Sequence, residues 1–148
     1  MTAISALIDI GGSSVKVTIR DNSAGKILTH EIGTTPKVQG KHISLNPDEL
    51  FATVIQTMNK SVEGLSSGLK VEKIYIATLR QGFCLISNEK ELTPIFLNSD
   101  TSGEMARADI EKYGFRRIYE ETGHWFAPQL TLPKLSNLNR VQPELVKQ

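Results

Sequence analysis

Apolar and polar residues alternate through the opening of the chain. Residues 4–10 read Ile-Ser-Ala-Leu-Ile-Asp-Ile, and residues 14–21 read Ser-Val-Lys-Val-Thr-Ile-Arg-Asp. This period of two marks strands. A third run covers about residues 26–32, and Asp21-Asn22-Ser23-Ala24-Gly25 is the turn before it. The three predict an antiparallel meander. Residues 33–45 are polar, contain glycine and show no period, so they predict a loop. The period then changes. Asn46 suits a helix cap, Pro47 the first helical position, and Glu49 a bond back to the cap. Leu50, Phe51, Val54, Ile55 and Met58 follow at helical spacing on one face, and Gly64 with Ser66-Ser67-Gly68 ends the helix.

Val71 to Ala77 is rich in β-branched and aromatic residues and predicts a central strand. Phe83–Ile86 and Thr93–Leu97 predict a strand pair joined by the charged turn Asn88-Glu89-Lys90-Glu91. The last third reads as helices: Glu104 to Tyr113, Phe115 to Thr122 stopped by Gly123, and a short one marked by Leu132, Leu135 and Leu138. Gln142-Pro143-Glu144-Leu145 opens another. A helix so short needs tertiary packing to persist, and a chain that stops there reads as cut rather than finished. The order β-β-β-α-β followed by more strands predicts an α/β fold with a mixed sheet.

Composition narrows the function classes. The 148 residues are 39% hydrophobic and 22% charged, which fits one globular domain and not a disordered chain. The net charge of +1 gives no electrostatic case for nucleic acid or an anionic membrane. No apolar run approaches ~18 residues, and no charged segment precedes the first apolar stretch. The single cysteine, Cys84, excludes an internal disulfide and sits in the apolar run Phe83-Cys84-Leu85-Ile86, where a buried, inert thiol is expected. The expected compartment is the cytoplasm. His30, His42 and His124 are scattered without metal-ligand spacing, and Trp125 is expected to serve packing rather than ligand stacking.

The chemistry concentrates between the first two strands, in Asp9-Ile10-Gly11-Gly12-Ser13-Ser14-Val15-Lys16. A tight turn of this composition carries free N–H groups and two hydroxyls beside one acid. Such a turn can accept phosphate oxygens, and the acid can hold their magnesium. Glycine turns also close hairpins with no ligand, and an Asp beside a turn is often only a turn residue. The spacing is neither that of a Walker loop nor, since a strand follows, that of a dinucleotide fingerprint.

The same octet resembles the first phosphate motif of the FGGY carbohydrate kinases, within the actin-like ATPase and sugar-kinase superfamily. Three later stretches carry the likeness further. Ile74-Tyr75-Ile76-Ala77-Thr78-Leu79-Arg80-Gln81-Gly82 is similar to the family's strand leading into its sugar pocket. Pro94-Ile95-Phe96-Leu97-Asn98-Ser99-Asp100-Thr101-Ser102 is similar to its Pro-x-x-x-Trp-x-Asp-x-Arg segment. Ile118-Tyr119-Glu120-Glu121-Thr122-Gly123 with Leu132-Pro133-Lys134-Leu135 is similar to its Tyr-x-x-Thr-Gly and Pro-Lys-Leu run. The resemblance implies a ribonuclease H-like (actin-like ATPase) α/β domain with a mixed sheet and flanking helices. It implies that residues 1–148 are the N-terminal part of a first domain, truncated before completion, with the second domain absent.

By this resemblance Asp9 would hold Mg²⁺, and Gly11, Gly12, Ser13 and Ser14 would offer N–H and OH groups to the phosphates of ATP. Lys16 would add positive charge there or simply face solvent. Arg80 and Gln81 would contact sugar hydroxyls, with a plain polar loop as the competing reading. Asp100 would accept from a sugar hydroxyl or cap a turn. Asn98 replaces the family's usual Trp and Ser102 its usual Arg, Leu79 stands where a polar residue is common, and so the sugar is not specified. The family's catalytic base, second phosphate loop and adenosine pocket fall outside residues 1–148, so the chain alone is expected to be inactive. The implied partners are a sugar or polyol and the rest of the kinase. The other function class is a non-catalytic binding module that pairs with a protein or forms a homodimer.

Overall fold

The computed structural model describes residues 3–21, 25, 27–63, 65 and 70–147. The expected turn at Asn22-Ser23-Ala24 and the helix stop at Gly64 and Ser66-Ser67-Gly68 lie outside them. The chain divides into two compact units, Met1–Thr35 with Asn46–Leu79, and Pro36–Leu45 with Arg80–Gln148.

The first unit is a four-stranded mixed sheet covered on one face by a helix. Strands β1 (Ala3–Ile10), β2 (Ser14–Asp21) and β3 (Ile27–Gly33) form the expected antiparallel meander. Alternation sorts their side chains: Ile4, Ala6, Ile8, Val15, Val17 and Ile19 are buried on one face, and Asp9, Lys16 and Arg20 are exposed. Helix α1 (Pro47–Glu63) starts where its cap predicts, with the Glu49 N–H donating to Asn46 Oδ1 at 3.1 Å. Three of the five residues expected on its packed side lie there. Leu50, Val54, Met58 and Val62 meet the sheet, and Thr57 and Ser61 are fully buried, each hydroxyl bonded to a carbonyl four residues back. Phe51 and Ile55, assigned to that side from spacing, are 67% and 42% exposed. The two small hydroxyl residues self-satisfy against the helix backbone, so polar positions occupy the buried stripe.

Strand β6 (Lys70–Thr78) runs parallel to β1 and closes the order β3-β2-β1-β6. It was expected to be central. Within this sheet it is an edge, with Ile74, Tyr75 and Ile76 more than half exposed. Its apolar run suits a strand covered on both faces, but of its residues only Val71 packs against the core of this unit.

The second unit opens with a hairpin in the stretch expected to be loop. Strands β4 (Lys37–Gln39) and β5 (His42–Leu45) pair antiparallel around Gly40, whose φ of 62° lies in the left-handed region. These strands are too short to show alternation. β9 (Ile95–Phe96) adds to β5, and a Phe83–Phe96 bridge ties in the preceding segment. Strands β7 (Ile86–Ser87) and β8 (Lys90–Glu91) flank a two-residue turn, with Asn88 and Glu89 both at positive φ, the type I′ pattern. The expected pairing of Phe83–Ile86 with Thr93–Leu97 is reduced to the Phe83–Phe96 bridge, and Lys90 and Glu91, assigned to the turn, form β8 instead.

The expected helix from Glu104 to Tyr113 is two elements, a 3₁₀ turn at Ser102–Ala106 and α2 (Arg107–Tyr113). Helix α3 (Phe115–Thr122) ends at Gly123 in the left-handed conformation, as read. α4 (Thr131–Val141) and α5 (Pro143–Val146) complete the unit. Ala106, Ile110 and Ile118 form a core with Phe115 and Phe126. Gly103 marks the tightest approach of the 3₁₀ turn to α4: a Cβ there would lie 2.4 Å from Pro128 O and 2.6 Å from Pro133 Cβ. Trp125 is 60% exposed and stacks on Tyr119, so it serves a surface pair and not a core. Cys84 is half-buried, and burial, followed by the nearby Glu91 charge, pushes its thiol pKa up, in keeping with an inert thiol. No described helix is long and apolar enough to cross a membrane.

Candidate functional site

The turn of the β1–β2 hairpin is fastened from behind. The Gly11 N–H donates to Ser14 O at 2.9 Å, the Thr34 N–H to Ser13 O at 2.9 Å, and Thr34 Oγ1–H to Gly12 O at 2.9 Å. The carbonyls of Gly12, Ser13 and Ser14 are therefore all engaged within the unit. The amides of Gly12 and Ser13 have no acceptor among the described residues. A bend whose carbonyls are tied back and whose amides are spare has the donors that an anion seat requires. Gly11 needs to be glycine for space rather than for φ: a Cβ there would sit 3.1 Å from Ser14 O. Its own amide is already used, so it shapes the turn instead of donating to a ligand.

Asp9 lies at the end of β1, exposed and directly opposite Lys16, which is itself directly opposite Glu31 on β3. Directly opposed residues share a face, so an acid, a lysine and an acid form one row across three strands. Ser14 Oγ donates to Glu31 Oε1 at 2.6 Å, and Lys16 Nζ lies 3.6 Å from Glu31 Oε2. The Ser14 hydroxyl first, and the Lys16 ammonium after it, hold the Glu31 carboxyl below the usual carboxylate range. Among the described residues no three His, Cys, Asp or Glu side chains gather as a metal cage. Mg²⁺ binds through one or two carboxylates plus phosphate and water, so the single exposed carboxylate of Asp9 near the end of β1 fits that ion.

The remaining site residues read from the sequence lie in the second unit. Arg80 is exposed. Gln81 adopts φ 61°, unusual for a side-chain-bearing residue. Its backbone oxygen accepts from Lys134 Nζ at 2.6 Å, and its Oε1 lies 3.4 Å from both the backbone nitrogen and Oγ1 of Thr131. Gln81 also lines a pocket with Thr131, His124 and Trp125. Asp100 is fully buried. One oxygen accepts from the Ile43 N–H at 2.8 Å, the other from the Ser102 N–H at 2.9 Å and from Ser102 Oγ–H, and His42 Nδ1 is 3.7 Å from the first. Three of about four acceptor positions of that carboxylate are thus used inside the unit. Lys134, 2% exposed, also donates to Leu97 O at 2.8 Å, and burial pulls its pKa down against the opposing pull of Asp100.

Glu31, Thr34 and Lys134 were not singled out from the sequence. The meander register would have placed Glu31 across from Lys16. Thr34 fell in a stretch assigned to loop. Lys134 stands out in the sequence only as part of the Pro-Lys-Leu run, although a lysine among Leu132, Pro133, Leu135 and Leu138 signals a buried, paired ammonium.

The sheet order, the helix on its face and the glycine-serine hairpin make a mixed α/β fold, the fold of the solved sugar kinases that it resembles. The family model for the N-terminal domain of the FGGY family of carbohydrate kinases matches residues 4–148, and the chain belongs to that family. Among solved structures it is similar to the gluconate kinase from Lactobacillus acidophilus, at TM-score 0.88 and 20% identity over 100% of this chain. It is similar to the xylulose kinase from the same organism, at 0.87 and 19% over 99%, and to the Plasmodium falciparum glycerol kinase solved with ADP, at 0.83 and 21% over 99%. The chain covers 30% of each of those proteins.

Proposed function

We propose that this chain carries the phosphate-binding hairpin of an ATP-dependent carbohydrate kinase that transfers the γ-phosphate of ATP to a sugar or polyol hydroxyl. The observation that carries this reading is the hairpin itself, with three carbonyls tied back, the Gly12 and Ser13 amides spare and an exposed Asp9 near the end of the strand that enters the turn. Phosphoryl transfer depends chiefly on positioning and on neutralising phosphate charge. Gly12 and Ser13 would receive phosphate oxygens, and Asp9 would hold Mg²⁺, which when bound neutralises the phosphates. Gly11 would keep the turn tight, and Ser14 and Lys16 would border the seat. The Arg80 guanidinium and the Gln81 side-chain NH₂ would supply donors to a polyol, while Gln81 Oε1 faces Thr131. Asp100, with its oxygens largely engaged, would act on the sugar side by holding the loop around Ser102 and Ile43. By the family resemblance the base and the second phosphate loop would lie outside residues 1–148, so these residues alone would bind nucleotide weakly and transfer phosphate negligibly.

Calorimetry with Mg-ATP tests the reading. Asp9→Ala is expected to weaken binding at least about tenfold, in line with the loss of a metal-side carboxylate. A coupled assay over pentoses, hexoses and polyols is expected to show no sugar-dependent turnover. Binding that ignores Asp9→Ala sinks the assignment of the hairpin, and turnover at ordinary enzyme rates sinks the claim of inactivity. The exposed edge β6, with Ile74, Tyr75 and Ile76, favours a second reading in which the chain is a self-pairing module. A dimer by sedimentation together with no nucleotide binding would select it.

A further inference from the structure

A serine hydroxyl has one proton and two lone pairs. Ser14 gives its proton to Glu31 Oε1 across 2.6 Å, and a bond to an ionised acceptor is about twice as strong as a neutral one. The Ser14 oxygen is left with lone pairs only. It can face a cation or accept from water, and it repels a phosphate oxygen. The other Glu31 oxygen restrains Lys16 at 3.6 Å. The cross-strand row of Asp9, Lys16 and Glu31 therefore holds two carboxylates to one ammonium and is net negative until a cation joins it.

We propose that Glu31 is a positioning residue that assigns Ser14 to the metal side of a bound metal–nucleotide, beside Asp9, while the Gly12 and Ser13 amides take the phosphate side. This differs from a phosphate-donating Ser14, and it rests on the nucleotide reading of the hairpin. Ser14 on this account accepts from the metal's shell and never donates to phosphate. Glu31 touches neither ligand and acts by taking the proton. The row also makes nucleotide binding dependent on a divalent cation, since Lys16 is already matched.

The test is titration of the full 148-residue chain with ATP across a Mg²⁺ series and in EDTA, for the unaltered chain, Ser14→Ala, Glu31→Ala and Glu31→Gln. Ser14→Ala is expected to raise the Mg²⁺ needed for half-maximal binding by about tenfold, the scale of losses around metal sites, and to leave the EDTA affinity unchanged. Glu31→Ala frees the Ser14 proton, so affinity in EDTA is expected to rise and the Mg²⁺ dependence to flatten. Glu31→Gln keeps an oxygen that can accept that proton, so it should retain the steep Mg²⁺ dependence. Equal weakening by Ser14→Ala with and without Mg²⁺ overturns the proposal, because that is the signature of a phosphate donor. Identical behaviour of the two Glu31 variants overturns it too, because charge alone would then explain the effect. Failure of the unaltered chain to bind ATP under either condition overturns the nucleotide reading together with this inference.

Discussion

Replacing Lys134 by methionine isolates what a buried ammonium does for the second unit. The side chain is 2% exposed, and its Nζ donates to Gln81 O at 2.6 Å and to Leu97 O at 2.8 Å. Methionine keeps nearly the same length and apolar bulk but has no donor. A hydrogen bond to a charged group contributes a net ~1.5–3 kcal/mol. Because burial disfavours this charge, the low end applies, and the pair is worth about 3 kcal/mol. For a chain of this size, where each kcal/mol moves the midpoint by ~2–4 °C, that is a fall in Tm of about 9 °C. Urea unfolding measures it directly, through a lower midpoint at unchanged slope. A loss below about 1 kcal/mol would mean that the two carbonyls find other partners and that Lys134 is not what holds Gln81 at φ 61°. The pH dependence supplies an independent check. Burial places the folded-state pKa below the ordinary 10.5, so in the window between the two the unfolded chain binds more protons. The cost of burying the charge is fully present below the folded value and is relieved as pH rises toward 10.5. The stability of the unaltered chain relative to Lys134→Met should therefore increase across that alkaline window, and a flat difference would contradict the assignment.

Two further outcomes follow from the same unit. Asp100→Asn keeps the shape but confronts Ile43 N–H or the Ser102 donors with an amide NH₂, so it should cost about 1–3 kcal/mol in thermal unfolding. It should leave ATP affinity unchanged, since the phosphate hairpin belongs to the other unit. Gly103→Ala places a methyl within 2.4–2.9 Å of Pro128 O, Pro133 Cβ and Lys134 N, two of them backbone atoms, and should cost about 3 kcal/mol by overpacking. A soluble Gly103→Ala chain with an unshifted urea midpoint would show that the 3₁₀ turn and α4 can separate freely.

What could be read from the sequence was whatever a short local rule determines. The Asn46–Pro47 start of α1, the stop of α3 at Gly123 and the alternation of β1 and β2 each depend on a few neighbouring residues, and each appears where it was read. Tertiary choices were not legible. Whether β6 is central or at an edge depends on what packs beside it, not on Ile74, Tyr75 and Ile76. The turn of α1 that buries Thr57 and Ser61 while exposing Phe51 reverses hydropathy, because intrahelical bonds satisfy the hydroxyls. At the candidate site the hairpin residues were legible as a group, since they are contiguous. Glu31, Thr34 and Lys134 act on it or on Gln81 from 17 to 53 residues away, and only the folded registers bring them in.

The bend at Gly12-Ser13 is fastened through the carbonyls of Gly12, Ser13 and Ser14. A polyphosphate tail seated there would meet a tethered turn, so its capture would carry little ordering entropy at that point. A seat built from main-chain amides also reads only the phosphates. It would grip the tail of any nucleoside triphosphate alike, and the choice among bases falls to groups that touch the ring system.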